Sequence, residues 1–109
     1  MANKDVDIRD FEKIDLRVGE ITKVEEIEGV ENLYKVTVDI GEEKQIVVRT
    51  KPFYFSDQLE GKKVIIIANL EPMNIMGVES QGMLMVAEDN SNISLLTVDR
   101  DIENGTKIM

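Results

Sequence analysis

The sequence predicts an all-β domain in which short strands close into a small barrel. Three observations carry this prediction. Apolar and polar residues alternate along several short segments, β-branched residues are frequent in those segments, and Gly, Asp and Asn separate them. The length of 109 residues fits a single domain spanning the whole sequence, 1–109, and leaves no room for a second core.

The first half of the chain predicts three strands. Leu16–Val24 alternates except at Gly19, where we predict a bulge or bend, because a small barrel needs one in a long first strand. Tyr34–Ile40 is apolar at every second position and predicts the second strand. Gly41–Glu43 predicts a hairpin turn that leads into the return strand Gln45–Val48.

A break follows the third strand. The segment 56–61 predicts one helical turn, with Ser56 as its N-cap and Gly61 just past its end. Lys63–Leu70 predicts a continuous apolar strand that is buried on both faces, and Met83–Ala87 predicts another.

The chain closes with a predicted turn at Glu88–Asn92 and a short strand at Ile93–Val98. The element order is therefore that of a five-stranded OB-fold barrel, with a short helical turn between strands 3 and 4 and a C-terminal β extension. Another small barrel or a split β-sandwich is the competing interpretation.

Composition argues against an enzyme. The chain has no cysteine and no histidine, which excludes disulfides, zinc ribbons and thiol nucleophiles and removes the commonest general base. Ser80 lies between Gly77 and Gly82, but their spacing differs from that of a nucleophile elbow. The simpler interpretation is a loop between the fourth and fifth strands that offers Ser80 and Gln81 for hydrogen bonds. We predict no catalytic residue, no metal site and no cofactor.

Charge and hydropathy limit the partners. The net charge is −9, from 13 basic and 22 acidic residues, which disfavours a polyanionic partner unless a local basic face exists. The acidic residues between 25 and 31 predict a solvated loop. The longest apolar run, Val64–Ala68, is far shorter than the ~20 residues of a membrane helix. The charged N-terminus lacks a secretory signal, so we expect a cytoplasmic protein with no membrane partner.

The segment Arg49–Phe55 combines cations with aromatic residues. Phosphates pair with cations and bases stack on aromatic rings, so this combination is typical of a single-strand binder. We expect either Phe53 or Phe55 to lie in the core. Met85 is predicted to fill the core as well, whereas Met83 is a candidate for the mouth of a binding groove.

Four segments, Asp10–Glu25, Leu33–Val48, Gly61–Pro72 and Met76–Asp89, together resemble the tRNA-binding domain found at the C-terminus of many methionyl-tRNA synthetases. Free-standing dimeric tRNA-binding proteins belong to the same family. The resemblance covers residues 8–108, and its most specific part is GVESQGM after an apolar strand that ends in NL-x-P.

The resemblance implies an OB barrel that binds tRNA through structure more than sequence. It also implies a homodimer joined through Ser94–Met109 and part of the N-terminal segment. Since the sequence starts and ends with the domain, we expect a free-standing member or a separately encoded β subunit of a methionyl-tRNA synthetase. An aminoacyl-tRNA synthetase is then a possible partner beside tRNA.

The predicted RNA-binding site combines phosphate contacts with base contacts. Cations are assigned to phosphate, polar side chains to bases or sugars, and a methionine to packing. The predicted phosphate ligands are Arg49 and Lys51, with Lys35 on the flank. The predicted hydrogen-bonding residues are Asn69, Ser80 and Gln81, and Met83 is the predicted packing residue.

Several positions depart from the family pattern. Asn32, Glu71 and Asn74 stand where relatives usually carry basic residues, and Val48–Thr50 replaces a Ser-Gly-Ile sequence. Each lost phosphate contact weakens binding. The alternative hypothesis is therefore a dimerisation or synthetase-docking OB module that has lost most of its RNA affinity.

Overall fold

The computed structural model describes residues 4–109. Within this range the chain forms two single-turn helices and nine strands: α1 (Ile8–Phe11), β1 (Leu16–Ile27), β2 (Val30–Asp39), β3 (Glu43–Val48), α2 (Ser56–Leu59), β4 (Lys63–Ile67), β5 (Met73–Ile75), β6 (Val78–Ser80), β7 (Met83–Leu84), β8 (Val86–Glu88) and β9 (Ile93–Leu95). The all-β prediction is confirmed.

One antiparallel sheet of five strands, in the order β3-β2-β1-β4-β7, organises the molecule. Alternation on β2 buries Tyr34, Val36 and Val38 on one face, as the sequence predicts. They form one core with side chains from β1, β3, β4, α2 and β7, namely Ile21, Ile46, Val48, Leu59, Val64, Ile66 and Leu84.

The long strand β1 pairs with β4 through its first half and with β2 through its second half. The predicted bulge at Gly19 is wrong in position, because Gly19 pairs regularly with Val64 and the register shifts after Ile21, around Thr22. Gly19 serves close packing instead. A Cβ there would lie 2.5 Å from a methyl carbon of Val38.

The five-stranded sheet does not close into a barrel through a continuous ladder. Its edge strands are β3 and β7, and no strand pairing joins them in the described part of the chain. Individual hydrogen bonds join β3 to Ser80 at the end of β6 and to Gln81, which lies just before β7. The Gln81 N–H donates to the Gln45 carbonyl at 2.7 Å, and the Val47 N–H donates to the Ser80 hydroxyl at 3.1 Å.

The second half of the chain differs from the sequence prediction in its strand boundaries. β4 ends at Ile67, because its partner β1 begins at Leu16 and no ladder continues beyond it. It is also fully buried on one face only. The predicted strand 83–87 is divided, since β7 pairs with β4 whereas β8 pairs with β9. The loop predicted around Ser80 contains the β5–β6 hairpin.

The C-terminal extension packs back on β1. Beyond the β8–β9 hairpin, the predicted strand 93–98 ends at Leu95. The chain then returns to the start of β1, where the Gly105 N–H donates to the Val18 carbonyl at 2.7 Å and the Ile108 N–H donates to the Leu16 carbonyl at 2.9 Å.

The helical turn between the third and fourth strands is confirmed, but its cap and its aromatic neighbours differ from the prediction. Phe55 rather than Ser56 occupies the N-cap, and its N–H donates to the Gln58 side chain at 2.7 Å. Neither Phe53 nor Phe55 lies in the core, since their exposed fractions are 42% and 77%. Leu59 and Tyr54 pack there instead.

Replacing Ser80 by alanine tests how the sheet edges are joined. Ser80→Ala leaves the partly buried Val47 N–H without its acceptor, and an unpaired buried donor costs about 1–3 kcal/mol. We expect the free energy of unfolding in urea to fall by about that amount. Ser94→Ala is the control, because Ser94 is exposed and its hydroxyl bonds only to the carbonyl of the next residue, Leu95. Equal stability of both variants would contradict the assigned role.

Candidate functional site

A groove of about 520 Å³ opens where β3 meets β7 and the β5–β6 hairpin. We call it the methionine groove, since Met73, Met83 and Met85 line it. The other lining residues come from β2, from β3 and the turn after it, and from the segments that follow β4. They are Leu33, Val47, Val48, Arg49, Thr50, Leu70, Glu71, Ile75, Ser80, Gly82, Leu84, Val86 and Ile93. The surface is mainly apolar, with one cation at its rim.

Arg49 is that cation, and a carboxylate of the same chain holds it. Its Nη2 lies 2.9 Å from the Glu88 Oε1, and both side chains are at least half exposed. The ion pair raises the pKa of Arg49 above its ordinary value, so the guanidinium stays charged. Because the pair is exposed, water and salt screen it, and a phosphate is able to compete for the guanidinium.

Lys51 lies outside the methionine groove. It lines a second, more open and acidic cavity next to the β1–β2 turn, where its Nζ contacts the Glu26 Oε1 at 2.6 Å and lies 5.5 Å from the centre of the Tyr34 ring. The hydrogen bond from Lys51 lowers the pKa of the Glu26 carboxyl below its ordinary value of 4.5. Glu26 therefore stays ionised, and holds Lys51, at pH values where an ordinary glutamate protonates.

Ser80 and Gln81 have structural partners. Ser80 is buried and its hydroxyl donates to the Gly82 carbonyl at 3.2 Å while it accepts from β3. The Gln81 Oε1 accepts the Gln45 N–H at 2.8 Å, and its amide nitrogen donates to Glu79. Both residues thus join β3 to the segment before β7, and Ser80 also lines the groove.

The remaining predicted residues are dispersed. Asn69 accepts the Asp15 N–H at 2.9 Å and donates to the Lys13 carbonyl at 2.7 Å, which ties the end of β4 to the segment before β1. Lys35 lies on β2 and pairs with Glu25 at 3.6 Å. Met83 is half exposed and lines the groove. Of the seven predicted residues, the structure gathers Arg49, Ser80 and Met83 in the groove.

The three positions where relatives usually carry basic residues, Asn32, Glu71 and Asn74, are all exposed. Glu71 lines the methionine groove and Asn32 lines the acidic cavity. Asn74 lies in β5, where its side chain accepts the Gly77 N–H at 3.0 Å and supports the hairpin turn. A carboxylate on the groove wall reduces the attraction for a polyanion, and Arg49 is the cation among the lining residues.

Sequence reasoning missed part of the groove. Thr50, Leu70 and Met73 line it, although none belongs to the predicted site. Met85, predicted as core filling, is only partly buried and lines the same groove. The clustering of methionines in the sequence is the signal for this surface, since Met73, Met83 and Met85 line the groove, whereas Met76 lines the acidic cavity. Nothing local marks Thr50, because its position depends on the turn after β3.

Within residues 4–109, no helix has the length and apolar character needed to cross a membrane.

Comparisons with known proteins identify the family. The family described as "Putative tRNA binding domain" matches residues 16–107. Methionine–tRNA ligase from Methanococcus maripaludis strain C5 is 56% identical over 104 residues, which are 94% of this chain and 16% of that ligase. The ligase from Methanocaldococcus jannaschii is 51% identical over 105 residues. The chain therefore spans a small fraction of these relatives.

Solved structures agree. The crystal structure of a methionyl-tRNA synthetase-related protein from Pyrococcus horikoshii superposes with a TM-score of 0.92 at 36% identity, over 98% of this chain and all of that one. The chaperone CsaA from Picrophilus torridus superposes with a TM-score of 0.88 at 31% identity, over 96% of this chain and all of that one. The family match covers most of this chain, and the identity to these relatives is high. The chain therefore belongs to the tRNA-binding domain family.

Proposed function

We propose that this chain is a non-catalytic tRNA-binding module whose methionine groove meets the RNA. The observation that carries the proposal is the placement of Arg49, Thr50 and Met83 around one apolar groove in a member of the tRNA-binding domain family. Arg49 binds phosphate, and the soft apolar walls pack against the faces of bases, which is how single-stranded RNA is commonly held. The paucity of base-reading groups favours recognition of structure over sequence.

The finer assignments belong to the same proposal. The groove is lined by residues of β2 and β3 and of the segment between β4 and β7. In an OB domain, the face of strands 2 and 3 and the loop between strands 4 and 5 bind oligonucleotides. We propose that the single domain acts in the cytoplasm with a methionyl-tRNA synthetase, as its β subunit or as a separate tRNA-delivering partner. Similarity to the C-terminal part of methionine–tRNA ligases supports this role.

A homodimer is part of the proposal as well. The side chains of Val6, Ile8, Phe11 and Ile14 are 71%, 67%, 39% and 41% exposed, which is unusual for so many apolar residues in one short segment. The C-terminal segment adds exposed Leu96 and Ile102. Covering these two segments with a second copy removes their apolar surface from water.

A second candidate function is a protein-docking module with little RNA affinity. The net charge of −9 and the carboxylates that hold Arg49 and Lys51 favour it. Such a module docks on a synthetase or on its own copy, and it binds no tRNA even at low salt.

A salt titration separates the two functions. We expect bulk tRNA to bind saturably in fluorescence anisotropy and to weaken as salt rises from ~50 to ~200 mM, because bound cations displace counterions. We propose that Lys51, in the neighbouring acidic cavity, binds a second phosphate, so Arg49→Glu with Lys51→Glu removes two phosphate ligands. It is expected to reduce affinity at least about tenfold and the magnitude of the log–log salt slope by about two.

The matched control is Lys62→Glu with Lys107→Glu, which changes the net charge equally. Both of these lysines are exposed, and neither lines the groove or the acidic cavity. Circular dichroism checks that all variants remain folded. Absence of binding by the wild-type chain at the lowest salt refutes the tRNA-binding function and leaves the docking module.

Releasing the two cations from their carboxylates gives a second test. Glu26→Gln with Glu88→Gln frees Lys51 and Arg49 and removes negative charge beside the bound phosphates. We expect tRNA affinity at ~50 mM salt to rise about threefold or more. Glu60→Gln with Glu103→Gln is the control, since both of these side chains are exposed and line neither cavity. Equal gains in the two variants would show a general charge effect and not a local one.

A further inference from the structure

Methionine supplies the groups of this chain that are oxidised most readily. The sequence has no cysteine, histidine or tryptophan, so a peroxide meets no thiol, imidazole or indole. A thioether in contact with solvent takes up one oxygen atom and becomes a sulfoxide, which turns a flexible apolar side chain into a polar one. The exposed methionines are therefore the positions where the surface of this chain can change its chemistry.

Two of the exposed methionines line the same surface from different strands. Met73 in β5 is 63% exposed and Met83 in β7 is 51% exposed, and both line the methionine groove. Met76, in the turn of the β5–β6 hairpin, is 66% exposed and lines the acidic cavity, and Met109 is fully exposed at the end of the sequence. The chain thus carries a comparison pair outside the groove that is at least as exposed.

A sulfoxide changes what the groove is able to hold. The lining of the groove is mainly apolar, and oxidation places a hydrogen-bond acceptor with partial negative charge where a soft thioether stood. A flat ring that covers this oxygen removes it from water without supplying a donor, which is unfavourable. The favourable contact between the thioether sulfur and the ring is lost as well.

The added oxygen also affects the charge of the groove. Arg49 is the cation among the lining residues and already pairs with Glu88, while Glu71 adds a carboxylate to the wall. A sulfoxide adds a further negative partial charge to the same groove, and this charge repels a phosphate. Oxidation therefore lowers the attraction for both parts of a nucleotide, the ring and the anion.

We propose that Met73 and Met83 form an oxidation site for hydrogen peroxide and that their sulfoxides weaken binding in the methionine groove. The thioether sulfur attacks one peroxide oxygen, the O–O bond breaks and an S–O bond forms. The proton of the transferred hydroxyl passes to the other oxygen, which leaves as water, so the sulfur is oxidised by two electrons and the peroxide is reduced. Methionine sulfoxide reductases reverse the change. The inference rests on the proposed function, because RNA is the ligand whose binding weakens.

Mass mapping of the oxidised protein tests the site without any ligand. The wild type is treated with hydrogen peroxide and digested, and each methionine is followed by the mass of one added oxygen. We expect Met73, Met76, Met83 and Met109 to react before the partly buried Met85. The treatment is stopped before Met85 reacts, because a sulfoxide there disturbs packing. Resistance of Met73 and Met83 while Met76 and Met109 react overturns the inference.

Two leucine variants separate the groove from the rest of the surface. Leucine has about the volume of methionine and carries no sulfur. Met73→Leu with Met83→Leu removes the proposed site, and Met76→Leu with Met109→Leu is the matched control. For each protein, the tRNA dissociation constants before and after oxidation are compared by fluorescence anisotropy at ~50 mM salt. Each protein is thus its own reference, whatever its affinity before oxidation.

We expect oxidation to weaken tRNA binding about three- to tenfold in the wild type and in the control variant. The variant without Met73 and Met83 is expected to keep its affinity. Treatment of the oxidised wild type with methionine sulfoxide reductase restores binding, and circular dichroism checks that the oxidised proteins remain folded. Equal losses in all three proteins, or no loss in the wild type, overturn the inference. If tRNA binding keeps the expected salt dependence in that case, the proposed function stands.

The dye anilinonaphthalene sulfonate supplies a readout that does not need RNA. It combines flat rings with an anion and fluoresces on exposed apolar surface. If the wild type binds no tRNA before oxidation, the proposed function fails and the dye decides about the groove. Loss of dye fluorescence on oxidation of the wild type, and not of the variant without Met73 and Met83, supports the oxidation site. Equal changes in the two proteins refute it.

Discussion

The contact between β3 and the Ser80–Gln81 segment determines whether the methionine groove exists. These hydrogen bonds join β3, an edge of the open sheet, to the segment that leads into β7, the other edge, and the groove is lined by residues from both sides of this junction. Because they join positions on different strands, a change at Ser80 alters both the packing of the sheet and the shape of the groove. Stability and binding are therefore coupled through a few buried polar contacts, whose energy depends on every partner being satisfied.

The negative charge of the chain opposes RNA binding, and the ion pairs of its cations influence how RNA is bound. A chain of net charge −9 repels RNA at long range, and the cations nearest the groove are held by Glu88 and Glu26. Both ion pairs reach solvent, so a phosphate exchanges with a carboxylate without exposing a buried charge. We therefore expect the proposed module to bind RNA weakly and to release it readily. Weak, reversible binding would suit the proposed role of delivering tRNA to a synthetase.

Strand positions were largely predictable from sequence, whereas strand limits and partners were not. The alternation on β2 and the turn after it are local properties, so Val36 and Val38 were correctly placed in the core. The strands after β4 are short and change partners, and no local pattern records where the chain leaves one neighbour for another. The β5–β6 hairpin was missed because its Gly and Asn residues predict a loop.

The sequence by itself determined the all-β class, the family and the identity of Arg49 and Met83 as candidates for contact, because these follow from local patterns and side-chain chemistry. Only the tertiary structure decided which candidates share a surface. It brought Glu88 against Arg49 across 39 positions of sequence and turned Ser80 and Gln81 toward β3. It also buried the Thr50 hydroxyl without a partner. Burial and pairing depend on contacts between distant segments, so they arise only when the chain folds.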